Sequence, residues 1–175
     1  NPAVIRDAVD RLRDRLHRGD TVPHSRIAPA LSYGRHRGPG PVHPRLSAVA
    51  IALADDVERP YIPLTRRPRS LTHHGGQICF PGGRIESDES SHRAALREFE
   101  EELGLRPEVT ETLGELPVQS VYASENLVWP IVFRIRTPKK GWLPDPVEVD
   151  AIIEMPLDVI LDESSRQDRL IRRPV

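Results

Sequence analysis

Cysteine is almost missing from these 175 residues, Cys79 being the only one. One thiol can form neither an internal disulfide nor a Cys-rich zinc site, which fits a reducing, cytoplasmic compartment. Lysine is nearly as scarce: of 25 basic residues only Lys139 and Lys140 are lysines, a skew that reads as compositional bias before it reads as bidentate recognition. Net charge is also small, with 25 basic against 26 acidic residues leaving −1. This argues against a nucleic-acid partner or a polybasic membrane surface. No apolar run approaches the ~20 residues of a membrane helix, and no internal repeat appears. The chain therefore reads as soluble, with neither nucleic acid nor membrane as partner.

A chain of 175 residues is long enough for one compact domain that buries roughly 70% of its unfolded surface. Proline, 18 residues, punctuates it throughout. Residues 2–18 form an amphipathic helix: Pro2 suits a first turn, Ile5, Val9, Leu12 and Leu16 recur at helical spacing, and Gly19 ends it. Residues 19–45 form a Pro/Gly-rich connector, and the core runs over 46–162. Strands are expected at 46–54 and 61–65, which pair, and at 77–80, 108–122, 127–136 and 149–154. Pro81-Gly82-Gly83 marks a sharp turn or a close approach to a ligand. A helix spans 89–103, capped by Ser87 or Asp88 and stopped by Gly104, with Leu96, Phe99 and Leu103 as its apolar stripe. Residues 157–161 make a short helix, and 163–175 a C-terminal segment. The fold class is α/β or α+β.

Chemistry concentrates on the helix at 89–103. Glu98, Glu101 and Glu102 sit at i, i+3 and i+4, within roughly 60° of one another on one face. Like charges so placed repel, whereas a hard divalent cation, Mg²⁺ or Mn²⁺, reverses the sign of that energy and shares its coordination with substrate phosphates. On local composition alone the same stretch reads as a solvated face, with Arg97 and Glu101 an ordinary i, i+4 ion pair.

Spacing decides between the two. Gly83, five residues, Glu89, seven residues, Arg97-Glu98, Phe99, one residue, Glu101-Glu102, one residue, Gly104-Leu105 resembles the complete Nudix box, G-x5-E-x7-R-E-U-x-E-E-x-G-U with U apolar. A chance match is on the order of one in 10⁸ per starting position. The resemblance implies an α/β/α sandwich around a mixed β-sheet and metal-dependent hydrolysis of a nucleoside diphosphate derivative. It implies Glu98, Glu101, Glu102 and the Gly82 carbonyl as metal ligands, with Mg²⁺ or Mn²⁺ as cofactor. Arg97 orients the acids and Glu89 braces the loop. Glu98 is the first candidate for proton acceptor and Glu148, in a later acidic loop, the second. The related enzymes continue beyond Arg172-Arg173-Pro174-Val175, and the chain opens on Asn1 rather than methionine, so truncated termini are expected.

Residues 64–83 resemble the segment that precedes the box in coenzyme A pyrophosphatases of the Nudix superfamily. Leu64, Thr65, Arg67, Leu71, His74, Gly76, Gln77, Ile78, Phe80, Pro81, Gly82 and Gly83 match, while Pro68, Thr72 and Cys79 depart. The implied substrate is coenzyme A or a derivative, cleaved to 3′,5′-ADP and 4′-phosphopantetheine. Its extra 3′-phosphate calls for a second anion site, which Arg66, Arg67, Arg69, His73 and His74 can supply. Arg67 and His74 are the first choices, with Arg69 and Gln77 beside them. Alternatives that keep the box are ADP-ribose, NADH or another nucleoside diphosphate derivative; a further alternative is a Nudix-like binding module without turnover. Cys79 reads as a small core residue. The apolar face of residues 2–18 suits either its own domain or a second copy in a homodimer.

Overall fold

The computed structural model describes residues 2–20, 43–56, 59–70, 75–121 and 124–165. Its organising strand is β1 (Arg45–Asp55), in which side chains alternate between the faces of a sheet. Ala48, Ala50, Ala52 and Ala54 point one way and are essentially unexposed. Ile51 and Leu53 belong to the cluster on the other side. Along one edge β1 runs parallel to β7 (Asn126–Arg136) in continuous register from Arg45↔Asn126 to Asp55↔Arg136. Its other edge is shared by β4 (Gly82–Arg84) at the start and β2 (Tyr61–Arg66) at the end, both antiparallel.

β2 carries β3 (Ile78–Cys79) and β8 (Ala151–Pro156), and β7 carries β5 (Val109–Glu115) and β6 (Gln119–Val121), all antiparallel. The sheet is therefore mixed, with eight strands among the described residues. Helices cover both faces. α2 (Ser91–Leu103) lies on the alanine face, where Ala94, Ala95, Phe99 and Leu103 are buried with Phe133, Ile131 and Ile135. α1 (Pro2–Arg18) lies on the other, its Ile5, Val9, Leu12 and Leu16 packed with Leu53, Leu113, Val132 and Leu157, the last from α3 (Leu157–Leu161). The apolar face of α1 thus lies on its own sheet. No helix is long and apolar enough to cross a membrane among the described residues.

Several elements differ from the expectation. The strand expected at 108–122 is two, broken at Leu116-Pro117-Val118 opposite Pro130 of β7. Prolines lack the N–H a ladder needs, and Pro130 sits where β7 changes partner from β6 to β5, its carbonyl accepting from Leu116 N–H at 2.9 Å. The strand expected at 77–80 shrinks to two residues, and the turn expected at 81–83 runs into β4 instead. Gly82 there meets protein, not open space: a Cβ would overlap the Ala48 carbonyl and Val49 of β1. The strand expected at 149–154 begins at Ala151. α2 starts two residues late and is capped by Ser90, whose Oγ accepts from Arg93 N–H at 3.3 Å, not by Ser87 or Asp88. Gly104 ends α2 at φ 71°, its N–H donating to Glu100 O at 2.8 Å. Most of the 19–45 connector, and the segment after 165, lie outside the described residues.

Candidate active site

The helical period carries Arg97, Glu98, Glu101 and Glu102 to one side of α2, and the close seat of α2 on alanines brings that side against β4. The fit is tight enough that a Cβ on Gly83 would overlap the Glu98 carboxyl. Arg97 is the hub. Its Nη2 donates to Glu89 Oε1 at 2.7 Å and to the Arg84 carbonyl at 2.9 Å, and Nη1 donates to Glu98 Oε1 at 2.9 Å and Glu101 Oε2 at 3.1 Å. Glu89, bonded to this guanidinium and to Glu86 N–H at 3.0 Å, titrates below the usual carboxylate range, the Arg97 hydrogen bond being the main cause. Arg97 itself is pushed up, first by Glu89 and then by Glu98. Such charge-assisted bonds are the strong ones, so the loop before α2 is pinned to the helix through one side chain.

Glu98 and Glu102 move the other way. Burial raises the Glu98 pKa despite Arg97, and the charges of Glu101 and Glu148 raise it further. Burial likewise raises Glu102, which is only 9% exposed, against the Thr65 hydroxyl, the Gly82 N–H and the Arg67 charge. The structure thus gathers Glu98, Glu101, Glu102 and Arg97 on one rim with Gly82, and sets Glu148 within electrostatic reach of Glu98. Glu148 lies in a turn after Asp145, its N–H donating to Asp145 O at 3.0 Å. That loop is tied to the end of α2: Leu143 N–H donates to Leu103 O at 2.9 Å and Trp142 packs edge-on against Phe99.

Of the anion-binding candidates, Arg67 lies near Glu102, its backbone fixed by Arg67 N–H to Gln77 O and Gly76 N–H to Arg67 O, both 3.0 Å. Arg69 is exposed, its side chain beside Gly76, and Gln77 is also exposed. Arg66 is committed elsewhere, pairing with Asp150 at 2.8 Å. Leu71, Thr72, His73 and His74 lie outside the described residues. Cys79 is half-buried and its thiol is pushed up by burial. Motif reading missed two features: the hydroxyl of Thr65 on Glu102, and the Trp142–Leu143 contact with α2. A polar residue closing the inward series Tyr61, Pro63, Thr65 was the available signal for the first.

The donors on the rim are hard oxygens, which suits Mg²⁺ or Mn²⁺. Two of them are carboxylates whose ionised form burial disfavours, a cost a cation offsets. Among the described residues no three acidic, His or Cys side chains already converge closely enough to hold an ion. Glu98 and Glu101 point to Arg97, and Glu102 to Thr65.

A model of the NUDIX domain matches residues 43–173. The Nudix hydrolase NudL of Salmonella paratyphi B is 43% identical over 101 residues, covering 57% of this chain and 51% of that protein. The chain thus spans about half the length of the curated relatives it matches. Among solved structures, the MutT protein of Methanosarcina mazei superposes with a TM-score of 0.53 at 22% identity, over 70% of this chain and 84% of that one. The NUDIX domain of Shewanella oneidensis NrtR, solved in complex with ADP ribose, superposes with a TM-score of 0.51 at 19% identity, over 68% and 77%. At these identities the structural likeness is one of fold.

Proposed function

The chain belongs to the NUDIX domain family, and on that premise we propose that it is a metal-dependent pyrophosphatase cleaving coenzyme A and its derivatives to 3′,5′-ADP and 4′-phosphopantetheine or its acyl form. The observation that carries the hydrolase reading is the rim itself: Glu98 and Glu102, both raised in pKa by burial, stand against β4 with Arg97 bonded to Glu89, Glu98 and Glu101. On this reading Glu98, Glu101, Glu102 and the Gly82 carbonyl hold Mg²⁺ or Mn²⁺. When bound, such a cation neutralises a diphosphate and acidifies water.

The chain's own residues supply the rest. Glu98, its pKa raised by burial, accepts a proton from the attacking water, and Glu148 is the second candidate for that role. Arg97 sets the orientation of Glu98 and Glu101 between turnovers. Arg67, next to Glu102, and the exposed Arg69 and Gln77 bind the substrate's anionic groups, with His74 assigned there from its motif position. The coenzyme A assignment is supported by the twelve motif matches between Leu64 and Gly83 and by the placement of Arg67 beside the rim. ADP-ribose is the second reading, since a neighbour of the same fold was solved with it.

Chromatography with mass detection on coenzyme A, acetyl-coenzyme A, ADP-ribose and NADH, with Mg²⁺ or Mn²⁺ and Glu98→Gln as control, tests this. Fastest release of 3′,5′-ADP from the coenzyme A compounds supports the reading. Dominant AMP from ADP-ribose or NADH moves the substrate and keeps the chemistry. No turnover of any diphosphate leaves a binding module.

A further inference from the structure

The three carboxylates of the rim are held in two different ways. Glu98 and Glu101 share one guanidinium on their own helix, at 2.9 and 3.1 Å. Glu102 is anchored to the sheet. Thr65, 1% exposed at the inward end of β2, places its Oγ1 2.8 Å from Glu102 Oε2, and the Gly82 N–H of β4 supplies a second donor. An ionised carboxylate only accepts, so the single hydroxyl hydrogen of Thr65 goes to Glu102. Cys79 Sγ lies 3.4 Å from the same Oγ1 and 3.8 Å from the Thr65 carbonyl oxygen, so its one hydrogen also faces Thr65. The Thr65 hydroxyl is thereby constrained on both sides, and nothing on α2 duplicates it.

We propose that Thr65 is a positioning residue for Glu102, its hydroxyl holding that carboxylate in one orientation on the rim so that it meets a divalent cation already placed. The inference rests on the carboxylate reading of the site. Partners of this kind change metal affinity by about 10–100-fold when removed, and Thr65 acts from a strand 37 positions away in sequence, outside the motif that carries the acids.

The test is Mn²⁺ binding to the 175-residue chain without substrate, followed by electron paramagnetic resonance of free Mn²⁺, with thermal unfolding recorded on the same samples. Thr65→Val keeps the shape and deletes the hydroxyl; Thr65→Ser restores it. Thr65→Ala against Thr65→Ser repeats the comparison in a smaller side chain and decides the matter if the valine variant does not fold. The expected result is about tenfold weaker Mn²⁺ binding in Thr65→Val and Thr65→Ala, with Thr65→Ser within about twofold of wild type. A Thr65→Val or Thr65→Ala variant that folds and binds Mn²⁺ as wild type overturns the proposal, as does a Thr65→Ser variant that falls as far as they do. Wild-type chain that binds no Mn²⁺, or binds it equally after Glu102→Gln, overturns the carboxylate reading itself and the inference with it.

Discussion

On one face of the sheet β1 presents Ala48, Ala50, Ala52 and Ala54 to α2; on the other it presents Ile51 and Leu53 to α1. The same strand thus contributes to two helix seats of different composition. Where β1 offers methyl groups, beside Ile131, Phe133 and Ile135 of β7, the helix sets Glu98 against β4 and Glu102 within reach of Thr65 from β2. Where it offers bulkier side chains, the helix is held by apolar contact, with the Arg13–Glu111 ion pair at 2.7 Å along its edge. Both faces are core, and the α2 face also carries the carboxylates that Arg97 and Thr65 hold.

Substitutions on the two faces break or sharpen that contrast. The largest effect is expected for Glu98→Gln, which lowers turnover by about 10²–10⁴-fold, the scale of a lost general base, while urea unfolding shifts by less than about 1 kcal/mol. A variant that keeps turnover removes Glu98 from the mechanism. Next, Phe99→Ala on the α2 face costs about 3–5 kcal/mol of stability, because Phe99 is fully buried. Leu12→Ala on the half-buried α1 face costs about 2 kcal/mol or less. Equal denaturant midpoints for these two variants would show that the seats are equally tight.

Gly83→Ala pushes a methyl group into the Glu98 carboxyl. A flexible side chain can yield, so stability falls by only about 1 kcal/mol, whereas turnover falls by about 10²-fold through misplacement; kinetics and unfolding on one preparation separate the two. Tyr61, 5% exposed, belongs to the α2-face cluster and has its pKa pushed from 10 up to about 12, first by burial and then by the charge of Glu154. A folded-state pKa above the unfolded value means the contribution is complete below pH 10 and lost as pH rises through about 12. About 2–3 kcal/mol is therefore expected to disappear over that window, and Tyr61→Phe, measured by urea unfolding at pH 8 and pH 11.5, should flatten the loss. The smallest effect is at the α1 edge: Arg13→Ala should cost under about 1 kcal/mol, as partly exposed ion pairs do, and a larger shift in unfolding midpoint would make that edge structural.

Much of this was legible in the chain, for local reasons. The α1 boundaries, the C-terminal stop of α2 at Gly104 and the shared face of Glu98, Glu101 and Glu102 follow from a 3.6-residue period and a left-handed cap. The α2 start was harder to read, because Ser87, Asp88 and Ser90 are all competent caps and only the folded loop shows that Glu89 is taken up by Arg97 and Glu86. The break at Leu116-Pro117-Val118 escaped for a different reason. Pro117 lies inside an otherwise strand-like run, and its consequence depends on Pro130 lying opposite, at the point where β7 exchanges partners.

The sequence by itself determined which residues carry charge and how they are spaced on α2, since helix geometry repeats within a few residues. Only the tertiary structure decided how those charges differ: Glu101 stays half-exposed, Glu98 is pressed on Gly83, and Glu102 is buried under a threonine 37 residues before it. Burial and pairing set the energy of a carboxylate, and both depend on which strands the fold brings beside it, a property no local spacing encodes.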